Sequence, residues 1–464
     1  MSFGFKKRSF FIVVLFVLTF FVSIIEVNAD VVSIERIAKW NSYPVPNGEG
    51  SPGGISTNGD YVVYSSSSNN LVTGDTNNKN DIFLYDNVNN TTERISVSSA
   101  GVQGNHDSVS PNISSDGRYI VFESQASNLV LGDTNVDRDI FVYDRDLDTL
   151  ERVSVSSLGV EANDWSYYGS ISSDGRYVTF QSDATNLVAG DTNGVTDVFV
   201  YDRTLDTIER ISLGDMGAES DGVSDTSRIS GDGLFVSFYS QATNLVASDT
   251  NGVADIFVRN LTLDTTERVS ISTLGVESDA ASAFSFISSD GRYVAFHSDA
   301  TNLVPGDTNG VGDVFVYDRT LDTIERVSIT SLGVEASDGA SGYPSLSSDG
   351  RYITFDSQAT DLVAGDTNGQ GDVFVYDRTS DNLERVSVNN EGEEGDNVST
   401  NTFISPDGNY VTFFSQSSNF SEDHPLLGGD VFIYNRTADT TERALAFRTR
   451  VEGDQTMSYP SMSS

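Results

Sequence analysis

A unit of 58 residues recurs seven times along this chain, and no other property of the sequence constrains its fold as tightly. The unit is clearest where I-S-S-D-G-R-Y-V-T-F at Ile171–Phe180 is followed by G-D-T-N-G-V-T-D-V-F-V-Y-D-R at Gly190–Arg203. Its turn glycines, Gly59, Gly117, Gly175, Gly233, Gly291, Gly350 and Gly408, are spaced by 58 residues with a single spacing of 59. One insertion is the only interruption of phase.

Each unit reads as four strands. A short strand leads into the turn Ser172–Gly175; Tyr177–Ser182, Val198–Asp202 and Glu209–Ser212 supply the second, third and fourth. In V-F-V-Y the apolar residues run without alternation, which suits a strand covered on both faces. Radially stacked blades provide that cover, because each sheet is sandwiched between its neighbours. The predicted fold is therefore all-β: a propeller of four-stranded antiparallel blades. A stacked solenoid competes less well, since its repeats are usually shorter and carry fewer strands.

I-S-S-D-G-R-Y-V-T-F together with D-V-F-V-Y-D resembles the WD-like propeller repeat of TolB-type periplasmic proteins, over nearly all of residues 30–464. That repeat usually reads S-P-D-G, which occurs here at Ser405-Pro406-Asp407-Gly408, whereas the other copies place Ser, Thr or Gly before the turn. The resemblance implies the repeat fold. TolB also carries an amino-terminal domain, for which residues 30–54 leave no room, so its envelope role does not carry over.

Both ends carry partial units. Ser33–Ile37 (S-I-E-R-I) matches a fourth strand, with Glu35 standing 24 residues before Gly59 as Glu93 does before Gly117; Tyr459–Ser464 (Y-P-S-M-S-S) matches Tyr343–Ser348. Two closures follow: a truncated eight-bladed ring missing two strands, or a seven-bladed ring with spare strands at both ends.

Residues 1–29 are expected to be a secretory signal peptide, because Lys6, Lys7 and Arg8 precede an apolar run from Phe10 to Ile25 and Val27-Asn28-Ala29 offers a cleavage point. The run is about 16 residues, short for a membrane span. The mature chain, residues 30–464, is expected to be a secreted or periplasmic monomer with no membrane insertion. Hydrophobic residues make up 38% of the chain and charged residues 20%, enough to fill a core. The absence of cysteine excludes disulfides, thiolate catalysis and iron–sulfur clusters. Cleavage after Ala29 removes three basic side chains and one acid, which takes the formal charge from −41 to −43. Such a charge repels phosphate backbones and favours divalent or cationic ligands, so nucleic acid is not an expected partner.

The second recurrent motif is D-T-N-x-x-x-D, in six of the seven units: Asp75, Asn77 and Asp81; Asp133, Asn135 and Asp139; Asp191, Asn193 and Asp197; Asp249, Asn251 and Asp255; Asp307, Asn309 and Asp313; Asp366, Asn368 and Asp372. Carboxylate, amide and carboxylate oxygens at positions 1, 3 and 7 of a loop could converge on structural Ca²⁺, a hard cation that takes several oxygens. Position 5, usually Asp or Asn in calcium loops, conforms only at Asp137. The other reading is an Asx-turn that caps the third strand, with the last Asp satisfying loop amides. Asp202 cannot complete the same cage, since a strand separates it from Asp197 by about 17 Å.

In S-S-D-G-R-Y the turn aspartate, Asp174, is expected to accept backbone hydrogen bonds, and Gly175 to supply a positive φ. A glycosidase Asp-box is a poor match, since Asp and Gly are adjacent and no Trp closes the motif. Y-D-R and E-R-V-S recur in most units, which argues for ion pairs between adjacent strands or blades. His106, His297 and His424 form no triad or metal spacing.

An active site occurs once per molecule while scaffold recurs, and no asymmetric catalytic cluster stands out, so no catalytic residue is assigned. In four-stranded blades the loop between strands two and three shares a face with the connector to the next blade. The D-T-N loops and acidic connectors such as Glu161, Glu219, Glu277, Glu335 and Glu394 should therefore form one negative rim, with Trp165, Tyr167, Tyr168, Phe284 and Tyr343 nearby as candidate partner-binding residues. The expected function is an exported, non-enzymatic scaffold that binds a protein or glycan through this rim. The alternative is a propeller glycoside hydrolase or polysaccharide lyase with carboxylates in its central channel.

Overall fold

A computed structural model describes residues 46–214, 217–420 and 429–444. Residues 1–29, expected to be a signal peptide, the segment Ser33–Ile37, His424 and the fragment Tyr459–Ser464 lie outside the described residues. Within them are seven four-stranded sheets, each built from four consecutive antiparallel strands. Blade 1 spans Gly50 to Arg94, and blades 2 to 7 begin at Ser108, Ser166, Ser224, Ser282, Ser341 and Ser399. In blade 3 the strands are Ser166–Ile171, Tyr177–Ser182, Asp197–Asp202 and Thr207–Arg210. The fourth starts two residues before the expected Glu209, because Thr207 pairs with Asp202 at the head of the hairpin.

The uninterrupted V-F-V-Y run is explained by burial on both faces. Val198 and Val200 pack with Val236, Phe238 and Phe257 of blade 4, while Phe199 and Tyr201 pack with Val121, Ile140 and Val142 of blade 2. Such a cluster fills every blade-to-blade interface, including the one where Val431 and Ile433 of blade 7 meet Ile55, Val62 and Phe83 of blade 1. Across that junction the Gly50 amide also reaches the Gly429 carbonyl at 3.4 Å. The ring thus closes with seven blades, all four strands of each being contiguous; of the two closures open in the sequence, the eight-bladed one is excluded.

Two devices fix blade against blade. Gly175 has φ +70°, and a Cβ there would lie 2.1 Å from Tyr119 Cδ2 of the preceding blade, so the tyrosine ring occupies the room a side chain would need. Arg203 reaches back to Glu151 and covers the Tyr119 ring at 4.6 Å, a pattern repeated by Arg319 on Glu267 and Arg378 on Glu325. The recurrent Y-D-R and E-R motifs therefore do link blades, as expected. Asp174 accepts from the Arg176 amide at 3.0 Å and from the Ser172 hydroxyl, stabilising the turn.

The inner strands run along the ring axis from the D-T-N face to the Asp-Gly turns. At the turn end, backbone hydrogen bonds pass between blades: Ser173 N to Gly231 O at 3.0 Å, Asp232 N to Ser289 O at 2.9 Å, Ser289 N to Ser348 O at 2.9 Å and Ser348 N to Pro406 O at 2.9 Å. The turns thus gather around the axis. At the other end the channel widens into a cavity of about 940 Å³.

Candidate functional site

The D-T-N loops converge with the acidic connectors as expected, and the group at their centre is an arginine from the fourth strand. In blade 3, Arg210 Nη1 lies 3.2 Å from Asp191 Oδ1 and 3.1 Å from Asp197 Oδ2, while its Nη2 lies 2.8 Å from the connector carboxylate Glu219. Arg152, Arg268, Arg326 and Arg385 repeat the arrangement with Glu161, Glu277, Glu335 and Glu394. In blade 1, Arg94 joins Asp75 and Asp81, and Gln103 takes the place of the glutamate by bonding Thr76. The third residue of the motif makes the Asx-turn: Asn193 Oδ1 accepts from the Val195 amide at 3.3 Å, and Asn77, Asn135, Asn251, Asn309 and Asn368 do likewise. The last aspartate bonds side chains rather than loop amides. Asp197 accepts from Ser212 Oγ at 2.5 Å, Ser220 Oγ at 3.0 Å and Asn193 Nδ2 at 2.9 Å.

In five of the six loops the first aspartate faces its arginine through an oxygen that makes an ion pair but no aligned hydrogen bond. Oδ1 of Asp133, Asp191, Asp249, Asp307 and Asp366, and both oxygens of Asp75, are buried with no hydrogen-bond partner. Burial, reinforced by the second aspartate, pushes Asp133 and Asp249 up to about 6 against the pull of their arginines. Glu219 moves the other way, to about 2, because the Thr192 hydroxyl and amide both donate to it. In blade 6 the carboxylates of Asp366, Asp372 and Glu394 present oxygens within 4.8 Å of one another, a group that could hold a metal ion. There Arg385 stands 3.9 Å from Asp366, the longest of these contacts.

The candidate partner-binding aromatics separate into two places. Trp165 and Tyr167 sit at the rim: the Trp165 indole donates to Asp137 of the neighbouring loop at 2.8 Å, and Tyr167 donates to Asp183 at 3.0 Å. Tyr168, Phe284 and Tyr343 line the central cavity instead. A register shift explains the difference. The inner strand of blade 3 skips between Tyr167 and Ser170 in its pairing with the second strand, and the extra residue Tyr168 takes φ 49°. The same third position holds Ser110, Thr226, Phe284, Tyr343 and Asn401 in other blades, all with φ between 45° and 54°. Bulges of this kind re-aim a side chain, and left-handed aromatic residues mark positions that their surroundings hold in place. The Tyr168 amide, for instance, donates at 2.8 Å to Glu123 of blade 2, and the Thr226 amide to Gln181 of blade 3 at 2.5 Å.

The channel wall also holds residues that the motifs do not reveal. Arg228 lies against the ring of Phe286 at 4.7 Å, and burial lowers its guanidinium to about 10. Phe286 in turn meets Phe403 of blade 7 edge to face at 6.0 Å. Glu49 is the one carboxylate on this wall among the described residues. The Phe284 and Tyr343 rings meet at 4.5 Å, tilted by 37°, and continue into a side pocket of about 350 Å³ with His297, Asp356 and Gly342. The pocket exists because Gly342 stands where blade 3 has Tyr167, and a Cβ there would approach His297 Cδ2 at 3.7 Å. Burial lowers His297 and raises Asp356 to about 6. The other described histidine, His106, is an exposed connector residue.

No known protein family and no curated protein matches this sequence. Solved structures do. A prolyl endopeptidase aligns over 85% of this chain with a TM-score of 0.53 and 10% identity; this chain spans 49% of that protein's length. An oligogalacturonate lyase in complex with manganese aligns over 84% of this chain and 90% of its own, with a TM-score of 0.53 and 11% identity. TolB from Acinetobacter baumannii, at 15% identity and a TM-score of 0.40, covers 82% of this chain and 79% of its own. At these identities the likeness to the endopeptidase and the lyase is one of fold alone, and the chain is a seven-bladed β-propeller.

Proposed function

We propose that this chain is an exported, non-enzymatic propeller that holds a protein or glycan partner of the cell envelope at the channel mouth, inside the acidic D-T-N rim. The supporting observation is where symmetry breaks. Seven nearly identical units share their turns, ladders and rim, yet the third inner-strand position runs Pro52, Ser110, Tyr168, Thr226, Phe284, Tyr343 and Asn401 around the channel. Residues freed from the repeat are the ones available for recognition. A hydrolase built on paired carboxylates fits less well, since Glu49 stands without a second acid on the described wall.

The test is binding of the exported chain to envelope glycans and proteins, with Phe284→Ala/Tyr343→Ala beside it. Loss of capture without loss of fold supports the reading. A product released from a glycan, and abolished by substituting Glu49, would instead make the propeller an enzyme. Export itself is checked by sequencing the secreted chain, expected to begin at Asp30.

Structural Ca²⁺ at the D-T-N loops is a second reading, favoured by the buried carboxylate oxygens left without hydrogen bonds. Melting in chelator and then in added Ca²⁺ decides it: a rise in Tm for the wild type places calcium in the loops, and an unchanged Tm leaves the arginine as their cation.

A further inference from the structure

The channel wall contains one arginine that stands outside the ion pairs of the fold. Every other arginine among the described residues meets a carboxylate within ion-pair distance. Arg228 meets none. Its Nε is buried without a hydrogen-bond partner, its Nη1 donates only to the Ser227 carbonyl at 3.1 Å, and its face lies over Phe286. In a chain of formal charge −41 carboxylates are abundant, so an arginine left unpaired on a cavity wall is a deliberate exception. The repeat supports the same point: the fifth inner-strand position is Gly54, Asn112, Ser170, Phe286, Ser345 or Phe403 in the other blades, none of them charged.

The surroundings define what Arg228 would receive. Tyr168 and Phe284 present apolar ring surface, while Ser110, Thr226 and Asn401 offer hydroxyl and amide groups around the same cavity. Apolar faces interleaved with small polar groups suit a sugar ring, whose C–H faces lie on aromatics and whose hydroxyls need hydrogen-bond partners. A volume of about 940 Å³ accommodates several such rings. The guanidinium fork adds a preference for a planar carboxylate. We propose that the central cavity is a binding site for an acidic saccharide and that Arg228 receives its uronate carboxylate. This rests on reading the channel mouth as the ligand site.

The experiment is calorimetric titration of the full chain with a trisaccharide of galacturonic acid and with its methyl ester, for wild type, Arg228→Gln, Arg228→Lys and Phe284→Ala/Tyr343→Ala. The expected result is binding of the free acid at least about tenfold tighter than the ester. Arg228→Gln should abolish that preference and Arg228→Lys should retain part of it, with unfolding curves confirming that both variants fold. Equal affinity for acid and ester in the wild type, or a preference that survives Arg228→Gln, overturns the role of Arg228. If both probes bind equally and the double aromatic variant loses both, the channel-mouth reading stands while this inference falls. No binding of either probe overturns the saccharide assignment, as does Arg228-dependent binding confined to a peptide with a free carboxyl terminus.

Discussion

Within blade 3 the D-T-N loop and the inner strand belong to the same repeat, yet sequence similarity treats them oppositely. The loop Asp191–Asp197 is almost a copy of its five counterparts and is closed by Arg210 of its own blade. The inner-strand residues Tyr168 and Ser170 have no fixed counterpart, and the first of them is held in a left-handed bulge by the hydrogen bond its amide donates to Glu123 of the preceding blade. A repeated cluster that satisfies itself is scaffold, whereas a wall whose residues differ blade by blade is where specificity can be written. Charge follows the same division: the rim sets an arginine among the carboxylates of each loop, and the wall leaves Arg228 without an ion pair.

The sharpest way to break this comparison is to remove the scaffold cation. Arg210→Ala leaves Asp191 and Asp197 buried without their counter-charge and is expected to cost about 3–5 kcal/mol in urea unfolding at neutral pH. Tyr343→Ala, at a residue 46% exposed, should cost under about 1 kcal/mol while removing partner capture. If Tyr343→Ala proved the more destabilising of the two, the division between rim and wall would be lost.

A smaller effect sharpens the account of the rim. Arg385→Met leaves Asp366, Asp372 and Glu394 as three converging carboxylates, a ligand set that a divalent cation can take. Millimolar Ca²⁺ is expected to raise the Tm of Arg385→Met by about 3–6 °C through preferential binding to the folded state. The wild type, with its arginine in place, is expected to shift by less than about 1 °C. A larger shift in the wild type than in the variant would show that calcium, not arginine, closes these loops.

The propeller was legible because its cause is local and periodic. The 58-residue phase, the Asp-Gly turns and the doubly buried V-F-V-Y strand all depend on nearest neighbours in sequence or on the identical neighbouring unit. Blade number was less legible, since Ser33–Ile37 and Tyr459–Ser464 left seven and eight blades both open, whereas the hydrophobic contact of Val431 and Ile433 with Val62 and Phe83 decides it. The common face of D-T-N loops and connectors followed from topology, and Thr192 bonding Glu219 bears it out. The arginine inside the loops was missed because Arg210 is 13 residues from Asp197 and its recurrence had an adequate explanation in strand pairing. Tyr168, Phe284 and Tyr343 were placed beside the rim, and only the bulge, a one-residue slip invisible in composition, turns them into the channel. Arg228 had a signal that a blade-by-blade alignment of the fifth inner-strand position would have exposed.

The smallest expected effect separates rim from wall by pH. Asp249 titrates near 6 in the folded protein because burial and Asp255 oppose its charge, whereas in the unfolded chain it titrates in the ordinary carboxylate range near 4. The folded state therefore binds this proton more tightly, so the stability linked to it is present below about pH 4 and is lost as pH rises through 6. Asp249→Asn carries no such proton at any pH. Its stability relative to the wild type should be highest above pH 6 and fall as the solution is acidified toward pH 4, because only the wild type gains a proton over that window. Glu277 beside it moves the opposite way, held low by the Thr250 hydroxyl and by Arg268. For Tyr343→Ala the difference from wild type should stay level with pH, since what the substitution removes is the packing of its ring against Phe284. Urea titrations at pH 4, 5, 6 and 7 supply the measurement, and a level difference for Asp249→Asn would mean that the rim carboxylates are solvated like ordinary surface acids rather than held by the scaffold.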